Sequence, residues 1–445
     1  MPAEASDESS VDLLGPFRQF VSLRRDVLVL SVAMFAFSLA FQMTGRYVPR
    51  YVEILGGAGL VGAYGSLGNL IGAVYPYPGG ALSDRIGSRY ALTLFGTVTT
   101  VGFLVWFAAP ALPAFGIGAW IWVFVGLLLT QAWKSFGLGA TFAVVKQATE
   151  PQHLALGFAS TEVFRRIGFL LGPAIATVVL ASFAFVTGFQ YILLLAVAFG
   201  VLGTVTQHYL YDANEDTIGD SFEGISQVVD DLRNLPAPLK PLLVADTLVR
   251  FANGMVYVFF VILVVDRGVG LTVGGISLGP EALFGALITL EMVVALVSMP
   301  PVSKLAEYTG LKPVVAIGFL VYAVFPVLLV TAPADAGVYV ALFAFSGLRF
   351  AGLPAHKALI VGPADRDAGG RVTGSYYLVR NTVVIPSAFI GGLLYVGEWT
   401  VSIGDVVVRA GPELAFGLAS AIGVIGVAYF VIFGKEFEAY ERTPP

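Results

Sequence analysis

The 445-residue sequence contains no cysteine, which removes disulfides, thiolate chemistry and cysteine-based zinc or iron–sulfur sites. Histidine is nearly as scarce: His153, His208 and His356 show no metal-like spacing, so neither a metal nor a cofactor is expected. Charge is short too. Asp, Glu, Lys and Arg make up 12% of the chain, against about 25% in a water-soluble protein of average composition. With 57% hydrophobic residues and mean hydropathy +0.83, the solvent this chain needs is lipid. No Gly-Lys-Ser/Thr loop is present, and no polar stretch is long enough to hold a nucleotide-binding fold, so work driven by ATP is not expected. No nucleic-acid partner is expected either.

What is present is a series of long apolar runs, each near the roughly 20 residues a helix needs to cross a bilayer core of about 30 Å. A membrane β-barrel would show weakly alternating segments of about ten residues instead. Met1 to Ser10 is acidic and polar, so no cleavable leader is expected and the first run should stay as a helix. The runs predict spans near 27–48, 59–80, 91–110, 116–145, 156–183 and 187–209, then near 242–265, 280–302, 313–331, 336–361, 373–396 and 412–433. The expected fold is an all-α integral membrane protein of twelve transmembrane helices in two six-helix bundles.

The divisions follow from this pattern. Residues 1–25 form an N-terminal segment with an interfacial helix (Leu13, Leu14, Phe17, Phe20 and Val21 at helical spacing), and 26–210 the first bundle. Residues 211–240 are a linker whose Ile225, Val228, Val229, Leu232 and Leu235 mark an amphipathic surface helix. Residues 241–434 are the second bundle and 435–445 a tail. With both termini cytoplasmic, Arg24, Arg25, Arg85, Arg89, Lys146, Lys240, Lys304, Lys312 and Lys435 all fall inside, while Arg50, Arg267 and Arg409 fall outside, as the positive-inside rule requires. The net charge of −5 and the acidic loops fit a prokaryotic plasma membrane facing an acidic, salt-loaded cytosol.

The two halves repeat each other. Gly80–Arg89, GALSDRIGSR, matches Ser303–Lys312, SKLAEYTGLK, at Leu82/Leu305, Asp84/Glu307, Gly87/Gly310 and Arg89/Lys312. KSFGLGA from Lys134 matches RFAGLPA from Arg349, and Arg165 matches Arg380. A parallel repeat of six helices places a binding site between the halves at mid-membrane.

On these motifs the chain resembles the major facilitator superfamily along essentially its whole length. GALSDRIGSR is similar to the family's loop between helices 2 and 3, although Ser88 and Arg89 stand where two basic residues are common. The resemblance implies a gating role for Gly80, Asp84, Arg85, Gly87 and Arg89, with Glu307 and Gly310 as their counterparts, Asp84 latching the halves. Gly168, Gly172 and Pro173 are similar to the helix-5 element of exporters in the superfamily, without the further glycines of its fuller antiporter form. Small residues four apart let helices approach, and proline bends its helix.

A charge at the centre of a span costs roughly 2.5–3.5 kcal/mol on insertion scales, so each one is a candidate functional group. Glu162 precedes Arg165 and Arg166 by about one turn, and Asp246 precedes Arg250 by four residues, so both acids can pair locally as well as carry a proton. Lys134 and Arg349 have no acid one turn away and occupy equivalent places, which makes both candidates for the cavity, the alternative being hydrogen bonds to backbone carbonyls of other helices. Glu291 sits alone among apolar neighbours in the eighth span and is the first choice for proton coupling, the alternative being a salt bridge to Arg349 or Arg380. Gln42, Arg46, Gln131, Asn253, Tyr257, Tyr376, Arg380 and Asn381 complete the candidate cavity.

The resemblance implies secondary active transport of a small solute by alternating access, not an enzyme. One expectation is a proton-coupled antiporter exporting amphiphilic compounds; another is uptake or exchange of an anionic metabolite; a third is a non-transporting membrane sensor. Protons and membrane lipids are the expected partners besides the solute, and the chain is expected to be a monomer.

Overall fold

A computed structural model describes residues 25–113, 116–136, 154–211, 236–361, 369–397, 399–403 and 406–436. Apolar runs become helices because a helix satisfies every backbone N–H and C=O within itself, which lipid cannot do. The first span is α1 (Arg25–Thr44) and α2 (Val48–Gly56), bent by 41°. The second is α3 (Gly59–Val74) and α4 (Pro76–Ile86), the third α5 (Ser88–Ala108). The fourth begins as α6 (Trp120–Gln131) and continues as a π-helical turn, Ala132–Phe136. Then come α7 (Leu154–Ser182) and α8 (Phe185–Leu210).

The second half repeats the order. Its seventh span is α9 (Leu239–Val256), a 3-10 turn Tyr257–Phe259 and α10 (Phe260–Asp266). The eighth and ninth are α11 (Pro280–Thr309) and α12 (Leu311–Thr331). The tenth is α13 (Ala336–Gly347), a 3-10 turn Leu348–Phe350 and α14 (Leu353–Val361). The eleventh is α15 (Gly369–Val384) with α16 (Ser387–Val396), and the twelfth α17 (Pro412–Phe433). Among the described residues nine helices are long and apolar enough to span, and the bent first pair makes ten. The second and fourth spans are the shorter ones, broken at Tyr75–Pro76 and leaving the described residues after Phe136 respectively. The interfacial helix expected before Arg25 and the linker helix between the halves lie outside the described residues.

Two short hairpins were not anticipated from hydropathy: β1 (Leu271–Val273) pairs with β2 (Ile276–Leu278), and β3 (Thr400–Ile403) with β4 (Val406–Arg409). Both join spans at the end far from the linker. Gly274 and Gly275 turn the first one with φ of 60° and 82°, a conformation glycine adopts without steric cost.

Small residues set the distances between helices. A Cβ on Gly168 or Gly172 would fall 2.8 Å from Ser38 Cβ or 2.6 Å from Gln42 Cβ, so this glycine pair presses α7 onto α1 inside the first bundle. Between the bundles, α7 packs on α11 and α3 packs on α16. Gly62 abuts the Ala388 carbonyl and Gly392, while Gly285 abuts Tyr47, Thr177 and the Pro173 carbonyl. Tyr47 Oη donates to the Glu281 carbonyl at 3.2 Å and Phe389 N donates to Ser66 Oγ at 2.8 Å. The halves are therefore closed against each other at the end far from the linker.

Candidate central cavity

Spans one, four, seven and ten all depart from regular helix part-way along, at Gly45–Tyr47, Ala132–Phe136, Tyr257–Phe259 and Leu348–Phe350. Each break carries a polar side chain: Arg46, Lys134, Tyr257 and Arg349. The Arg46 guanidinium lies 4.6 Å above the Tyr257 ring, a cation–π contact joining the two halves. Arg46 is within electrostatic range of Glu291 and Arg349, and Lys134, whose side chain is exposed, is within range of Arg46 and Arg165.

A cavity of about 190 Å³ opens beside the break at Tyr257. Gly65 and Asn69 of the first half border it, with Arg250, Asn253, Tyr257, Arg380, Asn381 and Val384 of the second. Asn69 Nδ2 ties the halves by donating to the Val384 carbonyl at 3.3 Å. Asn253 Oδ1 has no hydrogen-bond partner among the described residues.

Behind the two cavity arginines sits Asp246, 0% exposed. Its Oδ1 accepts from Arg250 Nε at 3.3 Å. Its Oδ2 accepts from Arg380 Nη1 at 3.1 Å and from Tyr376 Oη at 3.1 Å, and lies 3.4 Å from His356 Nε2. Further donors of both cations are engaged as well. Arg250 Nη1 donates to Tyr322 Oη at 3.1 Å, and Arg380 donates to Asn381 Oδ1 from Nε (3.2 Å) and Nη2 (2.9 Å). A buried carboxylate survives only with such partners, because its desolvation costs several kcal/mol.

Glu291 corrects the expectation of a lone acid. Its Oε1 lies 2.7 Å from Arg349 Nη2 and accepts a short hydrogen bond from Ser346 Oγ. Arg349 is corrected with it: the side chain does not line the cavity but is buried, stacked against Tyr322, Phe325 and Phe350. The pair forms across helices, which spacing along one helix cannot disclose. Tyr322 links the two ionic clusters, its ring lying under both Arg250 (4.8 Å) and Arg349 (5.1 Å). A space of about 10 Å³ between Arg250, Arg349 and His356 has room for about one water.

Of the other expected cavity residues, Asn253, Tyr257, Arg380 and Asn381 border the cavity, whereas Arg46, over the Tyr257 ring, and Lys134 do not border it. Tyr376 is buried on Asp246, Gln42 packs beside Gly172, and Gln131 ends α6; none of these three borders it. The side chains of Glu162 and Asp84, and the surroundings of Gly80, lie outside the described residues. Gly87 and Gly310 adopt φ of 81° and 90°, the turn that the repeated loop motif requires. Arg89 Nε donates to the His208 carbonyl at 2.7 Å, which anchors the loop to the last span of its own half. In the second half Glu436 does the equivalent, accepting from the backbone N–H of Leu311 (3.0 Å) and Lys312 (2.9 Å). Arg85 and Glu307 are exposed. The residues that sequence reasoning missed are His356, Tyr322 and Ser346. Nothing local marks them, since each partner comes from another helix.

No family model matches the chain. An uncharacterized MFS-type transporter of Methanocaldococcus jannaschii is 22% identical over 411 residues, covering 91% of this chain and 93% of that protein. Among solved structures, a mutant of the nucleoside transporter NupG superposes with a TM-score of 0.71 at 10% identity, over 92% of this chain and all of that one. A POT family transporter in complex with 5-aminolevulinic acid gives 0.68 at 14% identity, over 94% and 97%. The chain has the fold of these transporters, the major facilitator fold, and is similar in sequence to an MFS-type transporter over nearly its whole length.

Proposed function

We propose that this transporter is a gradient-driven carrier of small anionic solutes, working by alternating access between its two halves. The observation that carries this reading is the pair Arg250 and Arg380 on the cavity wall, reinforced by Arg46 over Tyr257 and by exposed Lys134. Guanidinium groups recognise carboxylate and phosphate through charged, two-point hydrogen bonds. The cavity size points the same way. About 190 Å³ suits a small metabolite, whereas drug-sized ligands occupy roughly 300–1,000 Å³, which weighs against export of bulky amphiphiles.

Protons are the coupling ion in this reading. Among the described residues Glu291 and Asp246 are the fully buried span carboxyls, and there Glu291 Oε2 has no hydrogen-bond partner. The test uses purified protein in proteoliposomes with an internal pH-sensitive dye and an imposed proton gradient. Lactate, succinate and inorganic phosphate form one panel, tetraphenylphosphonium and ethidium the other. Proton movement with an anion, weakened in Arg380→Gln, is the expected result. Response to the cations alone would overturn the reading in favour of an exporter, and silence on both panels would favour a sensor.

A further inference from the structure

The two arginines that face the cavity are not idle in this structure. Each has its own oxygen of one carboxylate: Arg250 on Oδ1 and Arg380 on Oδ2 of Asp246. Asp246 is 0% exposed, whereas the arginine side chains keep 25% and 17% of their surface. A solute anion can therefore reach the guanidinium groups from the cavity while Asp246 holds them from behind.

This arrangement bears on the step that separates a net transporter from an obligatory exchanger: reorientation without cargo. The occluded intermediate excludes water from both ends, and an unpartnered guanidinium is costly there. We infer that Asp246 is a built-in counter-anion that occupies Arg250 and Arg380 when no solute is bound, so that the empty carrier reorients and the protein catalyses net transport rather than obligatory exchange. The inference rests on the anionic-solute reading above. The groups facing Asp246 from the packed elements are Arg250 on its own helix, His356 on α14, and Tyr376 and Arg380 on α15; Tyr322 on α12 acts through Arg250. Arg250, Arg380 and Tyr376 donate to the carboxylate, Tyr322 holds Arg250, and His356 Nε2 lies 3.4 Å from Oδ2. Without Asp246 the arginines would hold solute more tightly, and would be released from it only by another anion.

The experiment compares net efflux into anion-free medium with counterflow exchange in proteoliposomes, using labelled lactate, succinate or inorganic phosphate. The wild type is expected to show both, at rates of the same order. In Asp246→Asn exchange is expected to persist and net efflux to fall tenfold or more. Anion binding should tighten by about tenfold, the size of one charge-assisted hydrogen bond freed for the ligand. The paired variant Asp246→Asn with Arg380→Gln removes one charge of each sign, so it should recover net efflux with weaker binding. It also carries the test should the single variant fail to fold. An unchanged ratio of net efflux to exchange in Asp246→Asn overturns this inference alone, as does a paired variant confined to exchange. A wild type that moves no anion overturns the anionic reading and this inference together.

Discussion

Glu291 on α11 and Arg349 on the 3-10 turn of the tenth span form an ion pair of 2.7 Å, with 1% and 2% of their side chains exposed. Removing one partner of a buried pair strands the other, at a cost of about 3–5 kcal/mol, whereas replacing both by apolar groups of similar volume is close to neutral. Glu291→Gln and Arg349→Met are each expected to lower stability in detergent by about that amount, and Glu291→Leu with Arg349→Met to regain most of it. Chemical unfolding followed by tryptophan fluorescence measures all three. A double variant as unstable as the sum of the singles would refute the pairing account.

Proton coupling through Glu291 separates from this structural role. Glu291→Gln protein that folds should keep anion counterflow yet lose accumulation driven by an inward proton gradient. Accumulation at the wild-type level would remove Glu291 from the coupling step.

The seam between the halves predicts a trap. Gly62 meets the Ala388 carbonyl and Gly285 meets Tyr47 and Thr177, with no space for a side chain. Gly62→Trp or Gly285→Trp should prevent closure at the end far from the linker, abolishing transport while anion binding remains. Labelling of cysteines introduced at Asn69 or Asn253 by a membrane-impermeant maleimide, in this cysteine-free chain, should rise from that side. Unaltered labelling together with normal transport would contradict the closed seam.

A milder change at the same seam is Tyr47→Phe, which deletes the hydroxyl donating to the Glu281 carbonyl. A typical net hydrogen-bond contribution of about 0.5–1.5 kcal/mol corresponds to a shift of roughly 2- to 12-fold away from the closed state. The same maleimide assay reads it.

Among the described residues, the charged neighbours of Lys134 are the cations Arg46 and Arg165, with no carboxylate beside it. Lys134→Ala is therefore expected to leave the unfolding midpoint unchanged or raised, while weakening anion binding severalfold in an equilibrium binding assay. A large loss of stability would show a structural role instead.

The sequence alone determined the all-α membrane class and the position of most apolar spans, because hydropathy is a local, one-dimensional property. It marked Arg46, Asn253, Tyr257, Arg380 and Asn381, since a charge or amide inside a span is costly enough to be noticed wherever it points. It also marked Asp246 with Arg250, because i, i+4 neighbours share a helix face. Only the tertiary structure decided that Glu291 meets Arg349, that Asp246 also gathers Arg380, His356 and Tyr376, and that Gln42 and Tyr376 pack away from the cavity. Those partners lie up to 134 residues apart in sequence, and which face of a helix meets which neighbour depends on packing angles and rotation that a hydrophobic run leaves undefined.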